Sequence, residues 1–588
     1  MHERCPRRMK KRDIISSALQ SIRAGFASVI VFSLFINLLA FVGPLYMLQI
    51  YDRVITSRSV DTLLIISAIA IFLLIVFAVL ERCRSAVLTR LGILFDETAR
   101  EGLFSRAARA TTFVPSIRPA QALRDLDTMR GFLTGTGLVA FCDAPWVPIF
   151  VVGCYLLHPY FGAVAAAGAL VIFGLALANE LMTRGPLNQS SQDSAAADAW
   201  AAATFRNSEV LRAMGMATAL RARWLTQHDA VLRNQKAADD RGGAVMAASK
   251  FFRASLQIAI LGLGAYLVIQ QEVSPGSMIA ASILMGRALA PVEMAVSNWK
   301  GFLAARAARG RLTTLLAGIP DEEPRMQLPE PRGALAVQNL FAAPPGERRP
   351  TIRSITFDIA AGETVGVIGP SGSGKSTLMR AVLGIWPALG GTVRLDGSDL
   401  QHWSPDQLGR HIGYLPQDIE LFGGTVAENI ARFSNAEDSK IIEAAQLAGV
   451  HEVIQKLPEG YGTRLSGDGG GLSGGQRQRI GLARAFFGVP KLVVLDEPNS
   501  NLDHEGEQAL IAGIRRMQER GSTILLVTHK PSLVGVTHKM ILLVNGEIDA
   551  FGPRDEVMTK VMGSRPAQQV EAKPQSGNEP PTIRVRMG

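Results

Sequence analysis

A glycine-rich segment that follows a short apolar stretch is the clearest sign of chemistry in this sequence. Thr364–Ile368 has the pattern of a buried strand, and the residues after it match G-x-x-x-x-G-K-[ST]. They are Gly369, Pro370, Ser371, Gly372, Ser373, Gly374, Lys375, Ser376 and Thr377. Glycines leave backbone N–H groups free to surround phosphate, while Lys375 reaches the β- and γ-phosphates and the Ser376 hydroxyl binds Mg²⁺. The segment therefore predicts a nucleoside triphosphate site.

A second strand-like stretch, residues 492–495, ends in two carboxylates. Asp496 directly follows the stretch and is suited to bind Mg²⁺. Glu497 is the next residue and is placed to orient or deprotonate an attacking water. The alternative, an acidic pair that follows a buried strand by chance, is weak in a chain that also has a phosphate loop. The pair therefore predicts nucleotide hydrolysis.

Between these two motifs lies a segment in which the chain resembles the ATP-binding-cassette (ABC) family. This signature segment consists of Leu472, Ser473, Gly474, Gly475 and Gln476. The resemblance implies that it completes the ATP site of a second cassette, with Ser473 and Gly475 at the γ-phosphate. A serine, two glycines and a helix start form an anion-binding backbone, which agrees with that role. Because the chain has one phosphate loop and one signature segment, the resemblance implies a homodimer.

Further positions match the ABC family one by one. The resemblance implies that Gln417 is a Mg²⁺ ligand close to the membrane-domain contact. It implies that His529, after the strand-like stretch Thr523–Val527, contacts the γ-phosphate and positions the water. It also implies a loop that contacts the partner cassette, formed by Asn501, Leu502 and Asp503.

Two positions depart from the family pattern. Pro344 stands where the family has an aromatic residue that stacks on adenine, and Phe341 is the candidate substitute. Asp468 is the nearest acid before the signature segment, where exporters tend to have a glutamate. The contact to adenine therefore stays open.

The front half of the chain is strongly apolar. Over the 588 residues, 48% are hydrophobic and 19% are charged, against about 25% charged in soluble domains. This composition excludes a disordered chain, a fibrous chain and a chain made only of water-soluble domains, a soluble DNA-repair ATPase included.

A membrane-spanning helix needs about 20 apolar residues. Six runs meet or approach that length, the sixth least clearly: 24–49, 63–80, 137–157, 161–178, 254–269 and 278–299.

Three charged residues lie inside these runs: Asp143, Arg287 and Glu293. Charge at membrane depth is costly and faces a cavity or a partner. A place in a translocation path and a purely structural role are both open for each of them.

Basic residues indicate how the chain is oriented in the membrane. Lys+Arg 61 against Asp+Glu 51 gives a net charge of +10. Many of these cations precede the first run or lie in the two long connections, after runs two and four, which is typical of cytoplasmic segments. The N-terminus and the second half are therefore predicted to be cytoplasmic, and no nucleic-acid partner is expected.

The long connections are predicted to be helices that leave the membrane, with tips near 115–122 and 207–219, although ordinary solvated helices are the alternative.

The four cysteines, Cys5, Cys83, Cys142 and Cys154, show no metal or disulfide spacing and are predicted to be unpaired.

These patterns predict an α-helical six-span transmembrane domain of the type I ABC exporter kind, fused to an α/β P-loop nucleotide-binding domain. The expected division is a basic N-terminal segment (1–23), a transmembrane domain (24–315), a linker (316–334), the ABC ATPase domain (335–561) and a disordered tail (562–588). Only a short segment precedes the first run, so no N-terminal peptidase-like domain is expected.

Finer motifs resemble the type I secretion ATPases, and specifically their protease-exporter (PrtD-like) branch. They lie at residues 122–127, 141–148, 158–159, 213–216 and 497–503, whereas residues 421–430 resemble ABC exporters in general. The resemblance implies a bacterial inner-membrane homodimer, surrounded by membrane lipid, that uses ATP and Mg²⁺ to export an unfolded polypeptide. The implied cargo is a protease or a calcium-binding repeat protein with a C-terminal signal. It further implies a periplasmic adaptor and an outer-membrane channel as partners. An exporter of lipid, drug or small peptide is the main alternative, and an ATP-gated channel or regulator is a weaker one.

Overall fold

The computed structural model describes residues 14–113, 119–319, 325, 327–347, 349–466 and 470–563. The chain divides into two compact units: Met1–Thr111 with Ser116–Pro320, and Thr112–Pro115 with Asp321–Gly588. Several sequence expectations lie outside the described residues: most of the basic N-terminal segment with Cys5, much of the first helix tip, Asp468, and the tail from residue 564.

The described part of the first unit is built from helices. They are α1 (Ile14–Ser21), α2 (Arg23–Leu39), α3 (Val42–Gln49), α4 (Ile55–Ser57), α5 (Val60–Phe113), α6 (Pro119–Thr134), α7 (Thr136–Asp143), α8 (Val147–Leu157), α9 (Pro159–Arg206), α10 (Ser208–Ala213), α11 (Ala217–Ile269), α12 (Pro275–Ser297) and α13 (Trp299–Ala317). A π-helical turn, Ile50–Val54, joins α3 to α4, and a 3₁₀ turn, Ala144–Trp146, joins α7 to α8.

Six helical segments of this unit are long and apolar enough to cross a membrane. They are Arg23–Ser57, Val60–Ala110, Thr136–Leu157, Pro159–Arg206, Ala217–Ile269 and Pro275–Ser297. Because α5, α9 and α11 have 54, 48 and 53 residues, each is more than twice the length that a bilayer requires. The long connections between the apolar runs are therefore continuations of the spanning helices. The short α10 and a turn at Gly215 join α9 to α11.

A buried ionic cluster holds three of these spanning segments together. The Arg84 side chain on α5 is almost fully buried and donates to Asp143 of α7 over 2.7 Å. Arg84 also donates to Ser33 of α2 and to Glu81, one turn earlier on α5. Asn37 of α2 donates to the same Asp143 oxygen. For Asp143, the structure thus favours the structural interpretation.

A second carboxylate fixes one end of the last span. Asp52, in the π-helical turn, accepts from the Ser274 hydroxyl over 2.5 Å and from the Gly276 N–H over 3.0 Å. Any Cβ at position 276 would lie 2.5 Å from the Asp52 carboxylate, so glycine is required there. This contact ties the start of α12 to the connection between the first two spans.

The described part of the second unit contains twelve strands in three sheets. They are β1 (Leu335–Ala342), β2 (Ile352–Ile359), β3 (Thr364–Ile368), β4 (Gly390–Leu395), β5 (Ser398–Asp399), β6 (Ile412–Leu415), β7 (Gly424–Thr425), β8 (Arg464–Leu465), β9 (Leu492–Asp496), β10 (Thr523–Val527), β11 (Lys539–Val544) and β12 (Glu547–Pro553). The main sheet has the order β12-β11-β3-β10-β9-β6, and only β12 runs antiparallel to its neighbour. Every residue of β3, β9 and β10 is buried, as their apolar composition predicts for central parallel strands.

Nine α-helices in the described part of the second unit pack around these sheets. They are α14 (Lys375–Val382), α15 (Pro405–His411), α16 (Val426–Ile430), α17 (Asp438–Leu447), α18 (His451–Gln455), α19 (Gly474–Phe486), α20 (His504–Glu519), α21 (Pro531–Val534) and α22 (Arg554–Gly563). One apolar core lies between α17, α19, α20 and the main sheet, and a second lies between α14, the main sheet and the antiparallel sheet β2-β1-β4-β5.

The buried cluster gives a test of membrane-unit stability. Arg84→Met leaves the Asp143 carboxylate without its cation, and losing one partner of a buried pair costs about 3–5 kcal/mol. We expect thermal unfolding of the purified full chain at a clearly lower temperature than wild type. Arg82→Met is the matched control, because Arg82 is exposed on the same helix. Equal unfolding temperatures for the two variants would contradict a stabilising role for the cluster.

Candidate nucleotide-binding site

The predicted phosphate loop connects β3 to α14. Three of its glycines have positive φ angles: 157° at Gly369, 79° at Gly372 and 99° at Gly374. Cβ atoms at Gly369 and Gly374 would lie only 2.1 Å from the Leu543 carbonyl and 2.7 Å from the Ile352 side chain. The loop therefore has this path because only glycine fits, and it directs backbone N–H groups towards the start of α14.

Lys375 is held inside this loop. Its ammonium group donates to the carbonyls of Gly369 and Pro370 over 2.9 and 3.0 Å. Burial lowers the pKa of Lys375, while the charges of Glu497 and Asp496 act in the opposite direction. The Ser373 hydroxyl is buried and has no hydrogen-bond partner among the described residues. A cation and an unpaired hydroxyl within a curved backbone form a suitable site for phosphate.

Asp496 ends β9 beside the phosphate loop. Both of its carboxylate oxygens are buried, and neither makes a hydrogen bond with the described part of the chain. Burial raises the pKa of Asp496, and the nearby Ser376 hydroxyl opposes this rise. Together, the Asp496 carboxylate and the Ser376 hydroxyl supply the kind of oxygen ligands that Mg²⁺ prefers.

Glu497, Gln417 and His529 meet at the same edge of the main sheet. The Gln417 amide donates to Glu497 over 3.3 Å, and Nε2 of His529 lies 3.9 Å from the other Glu497 oxygen. These three residues follow β9, β6 and β10, which are neighbouring parallel strands. Glu497 has a positive φ of 49°, and its N–H bonds to the Val527 carbonyl at the end of β10. The structure thus brings together three side chains that are far apart in the sequence.

The signature segment leads into α19. Ser473 caps this helix by accepting from the Gln476 N–H over 3.2 Å, and the Gln476 side chain accepts from the Ser473 N–H over 2.9 Å. A Cβ at Gly475 would lie 3.0 Å from the Asn501 carbonyl, so the segment packs against the loop at residues 501–503. Among the described residues, no hydrogen bond or ion pair joins the signature segment to the phosphate loop of the same chain.

The loop at residues 501–503 leads into α20. Asp503 caps this helix by accepting from the Gly506 N–H over 2.8 Å, and it pairs with Arg479 of α19 over 2.9 Å. Asp503, the N-cap of α20, thereby connects the loop at residues 501–503 to α19.

Gln478 is a connecting residue that sequence reasoning missed. Its side chain is buried on α19, where the amide NH₂ donates to the Pro498 carbonyl and the amide oxygen accepts from the Asn501 N–H over 2.9 Å. It thus ties α19 to the segment between Glu497 and the loop at 501–503. A polar residue on the apolar face of a helix was the available signal, because Gln478 lies four residues from Leu482 on that face.

Arg432 makes a similar connection at the start of β6. Its guanidinium donates to the carbonyls of Gly409 in α15 and Ile412 in β6, and to those of Arg484 and Ala485 at the end of α19. Burial lowers the pKa of Arg432 to about 10. This buried cation fastens the strand that precedes Gln417 to the helix that follows the signature segment.

The region expected to meet adenine lies between β1 and β2. The Pro344 carbonyl accepts from the Glu347 N–H in a turn, and Phe341 is half-buried opposite Gly390 in the antiparallel sheet. This connection ends at Ile352, the first residue of β2, and Ile352 packs against Gly374 of the phosphate loop.

Comparison with known proteins agrees with this architecture. Residues 26–291 match the family model of the ABC transporter transmembrane region, and residues 352–500 match the family model described as ABC transporter. The fold is similar to that of a bacterial Atm1-family ABC exporter with ATP bound, with a TM-score of 0.78, 20% identity, and coverage of 92% of this chain and 97% of that one.

Two relatives are similar in sequence over nearly the whole chain. The "Type I secretion system ATP-binding protein PrsD" of Rhizobium meliloti (strain 1021) is 43% identical, over 95% of each protein. The "Leukotoxin translocation ATP-binding protein LktB" of Mannheimia haemolytica is 28% identical, over 93% of this chain and 78% of that protein.

The fold and the site define a multi-pass membrane protein of the ABC transporter class, which binds and hydrolyses ATP. Within that class, the chain belongs to the family of type I secretion system ATP-binding proteins. The fold class and the family resemblance predicted from the sequence are thereby confirmed.

The bridging role of Gln478 can be tested directly. Gln478→Leu leaves the Asn501 N–H without its partner, and an unsatisfied buried donor costs about 1–3 kcal/mol. We expect a lower unfolding temperature of the second unit and slower ATP hydrolysis, with ATP binding retained. Gln508→Leu, an exposed glutamine of α20, is the control. ATP hydrolysis at the wild-type rate in Gln478→Leu would show that this bridge does not support the site.

Proposed function

We propose that this chain is the ABC component of a type I secretion system, which exports an unfolded polypeptide across the bacterial inner membrane at the expense of ATP. The observation that carries the proposal is the convergence of Glu497, Gln417 and His529 in a chain that also has six membrane-spanning segments. The two relatives named above, one from a secretion system and one from toxin translocation, support a polypeptide cargo.

Within the ATP site, the geometry supports the roles that the family resemblance implies. Residues 369–377 hold the phosphates, with Lys375 at the β- and γ-phosphates. Ser376, Gln417 and Asp496 would hold Mg²⁺, which supplies positive charge to neutralise the phosphates. Glu497 accepts a proton from the attacking water and orients it, and His529, which is close to Glu497, contacts the γ-phosphate.

Two copies of the chain are proposed to form two complete sites. The signature segment has no bond to its own phosphate loop among the described residues, and its capped helix start is suited to bind an anion. In a homodimer, residues 472–476 would complete the ATP site of the partner, and the loop at 501–503 would lie at the dimer contact. ATP binding would close the two cassettes, and hydrolysis at Glu497 would separate them again.

The domain division and the partners are part of the same proposal. In chain order, the proposed parts are a basic segment (1–23), the transmembrane domain (24–315), a linker (316–334), the ATPase domain (335–561) and a tail (562–588). The basic residues of the N-terminal segment and of the long connections support a cytoplasmic N-terminus and a cytoplasmic ATPase domain. The partners would be membrane lipid, a periplasmic adaptor, an outer-membrane channel and the polypeptide cargo.

The role of Glu497 is tested by Glu497→Gln. An amide cannot accept the proton of the water, so we expect ATP hydrolysis to fall by about 10²- to 10⁴-fold, while ATP binding and dimer closure are retained. Glu505→Gln, an exposed glutamate close by on α20, is expected to hydrolyse ATP like wild type. Hydrolysis at the normal rate in Glu497→Gln would refute the mechanism.

The cargo class is tested by secretion. Cells that carry this chain, an adaptor and an outer-membrane channel should release a cargo protein into the medium, and cells with Glu497→Gln should not. The stalled Glu497→Gln dimer is then purified and its bound material is identified by mass spectrometry. A bound polypeptide supports the proposal, whereas bound lipid without polypeptide favours the alternative of a lipid exporter.

A further inference from the structure

Arg287 differs from the other two charged residues that the apolar runs contain. Asp143 pairs with Arg84 over 2.7 Å, and Glu293 pairs with Arg253 of α11 over 2.7 Å. Arg287 of α12 is exposed and makes no hydrogen bond or ion pair with any residue that the structure describes. Asp143 and Glu293 are thus neutralised by partners within the first unit, whereas the Arg287 guanidinium can bind a group from outside the described chain.

Arg287 also lies near the middle of its span. It is the thirteenth residue of the 23-residue helix α12, about 18 Å from one end and 15 Å from the other. One end is fixed by the contact of Asp52 with Gly276, and the other is followed by Asn298, which bonds to Thr136 at the start of the third span. A side chain at this depth is too short to place its charge at either membrane surface.

The exposed side of α12 differs from a lipid-facing surface. Of the six spans, α12 is the least apolar, and half of its most apolar stretch is buried. The most apolar stretch of α5 has no buried residue. On α12, exposed and half-exposed residues recur every three or four positions and form one stripe: Ile279, Ile283, Arg287, Ala290, Met294 and Ser297. A stripe with an unpaired cation at its centre is unsuited to hydrocarbon.

We propose that this α12 stripe lines a water-filled path through the membrane, and that Arg287 binds carboxylates of the polypeptide in transit. The inference rests on the proposed function. The guanidinium is always charged and can bind a carboxylate through two parallel hydrogen bonds. Because it has no partner within the described chain, binding an acidic side chain breaks no existing ion pair. In a homodimer, two copies of Arg287 would favour acidic cargo and oppose cation leakage.

The first experiment tests the water-filled path in the full chain, with its native cysteines replaced by alanine, in lipid nanodiscs. A positively charged, membrane-impermeant methanethiosulfonate reagent should modify Arg287→Cys about ten-fold faster than Phe72→Cys, which is exposed on the strongly apolar part of α5. Ala290→Cys removes no charge and provides a second position on the stripe. Equal modification rates at the stripe and at position 72 would overturn the proposal.

The second experiment tests the occupant in phosphatidylcholine nanodiscs. The probe is a fluorescent 20-residue peptide of alternating glutamate and serine. Wild type, Arg287→Lys and the exposed control Arg309→Gln should bind it, and Arg287→Gln should bind about ten-fold more weakly. A matched glutamine–serine peptide should bind weakly to all four. Equal binding by wild type and Arg287→Gln, or no binding by wild type, would overturn the proposal. So would displacement of the peptide by phosphatidylglycerol vesicles, because it would favour an anionic lipid.

These outcomes separate the two proposals. A chain that secretes no polypeptide, although Arg287→Cys is modified and the acidic peptide binds, would contradict only the proposed secretion function. A chain that secretes normally with Arg287→Gln would contradict only the role of Arg287.

Discussion

The carboxyl ends of the parallel strands lie at one edge of the main sheet, and the arrangement of the ATP site depends on this constraint. The phosphate loop follows β3, Glu497 follows β9, His529 follows β10 and Gln417 follows β6. Since neighbouring strands of a sheet lie about 4.8 Å apart, residues that directly follow them are within reach of one another. The apolar character of these strands, which buries them on both faces, thereby positions the polar groups at their ends.

Two polar side chains connect the signature helix α19 to the main sheet, Gln478 near this edge and Arg432 at the opposite end of β6. Gln478 fastens α19 to the segment after Glu497, and Arg432 fastens α19 to β6. Both satisfy backbone groups that would otherwise be unpaired in the interior, so each is costly to remove. A movement of the signature segment would therefore be transmitted through Gln478 to the segment that follows Glu497. This rigid connection suits a site in which a second chain would supply part of the ATP contact.

The first unit follows the rule that charge within a membrane needs a partner or water. Arg84 meets this rule by forming a cluster with Asp143, Glu81, Ser33 and Asn37, and the cluster joins three spanning segments. The Asp52 carboxylate also has partners, because it accepts from the Ser274 hydroxyl and from the Gly276 N–H at the start of α12. Arg287, which lies between the ends of α12, has no such partner among the described residues, and this exception is the basis of the proposed path.

The sequence by itself determined the chemistry of the ATP site, the six spans and the family, because each depends on local patterns. The phosphate loop, the carboxylates at 496 and 497 and the apolar runs are short segments whose composition reports their physical role. Only the tertiary structure decided which distant groups meet. Gln417, Glu497 and His529 could be named from motifs, but their contact depends on the strand order of the sheet. Gln478 and Arg432 have no motif, and their partners are backbone carbonyls and amides far along the chain. The three charges in the apolar runs were indistinguishable in the sequence, because a charge is paired or free only according to what packs against it.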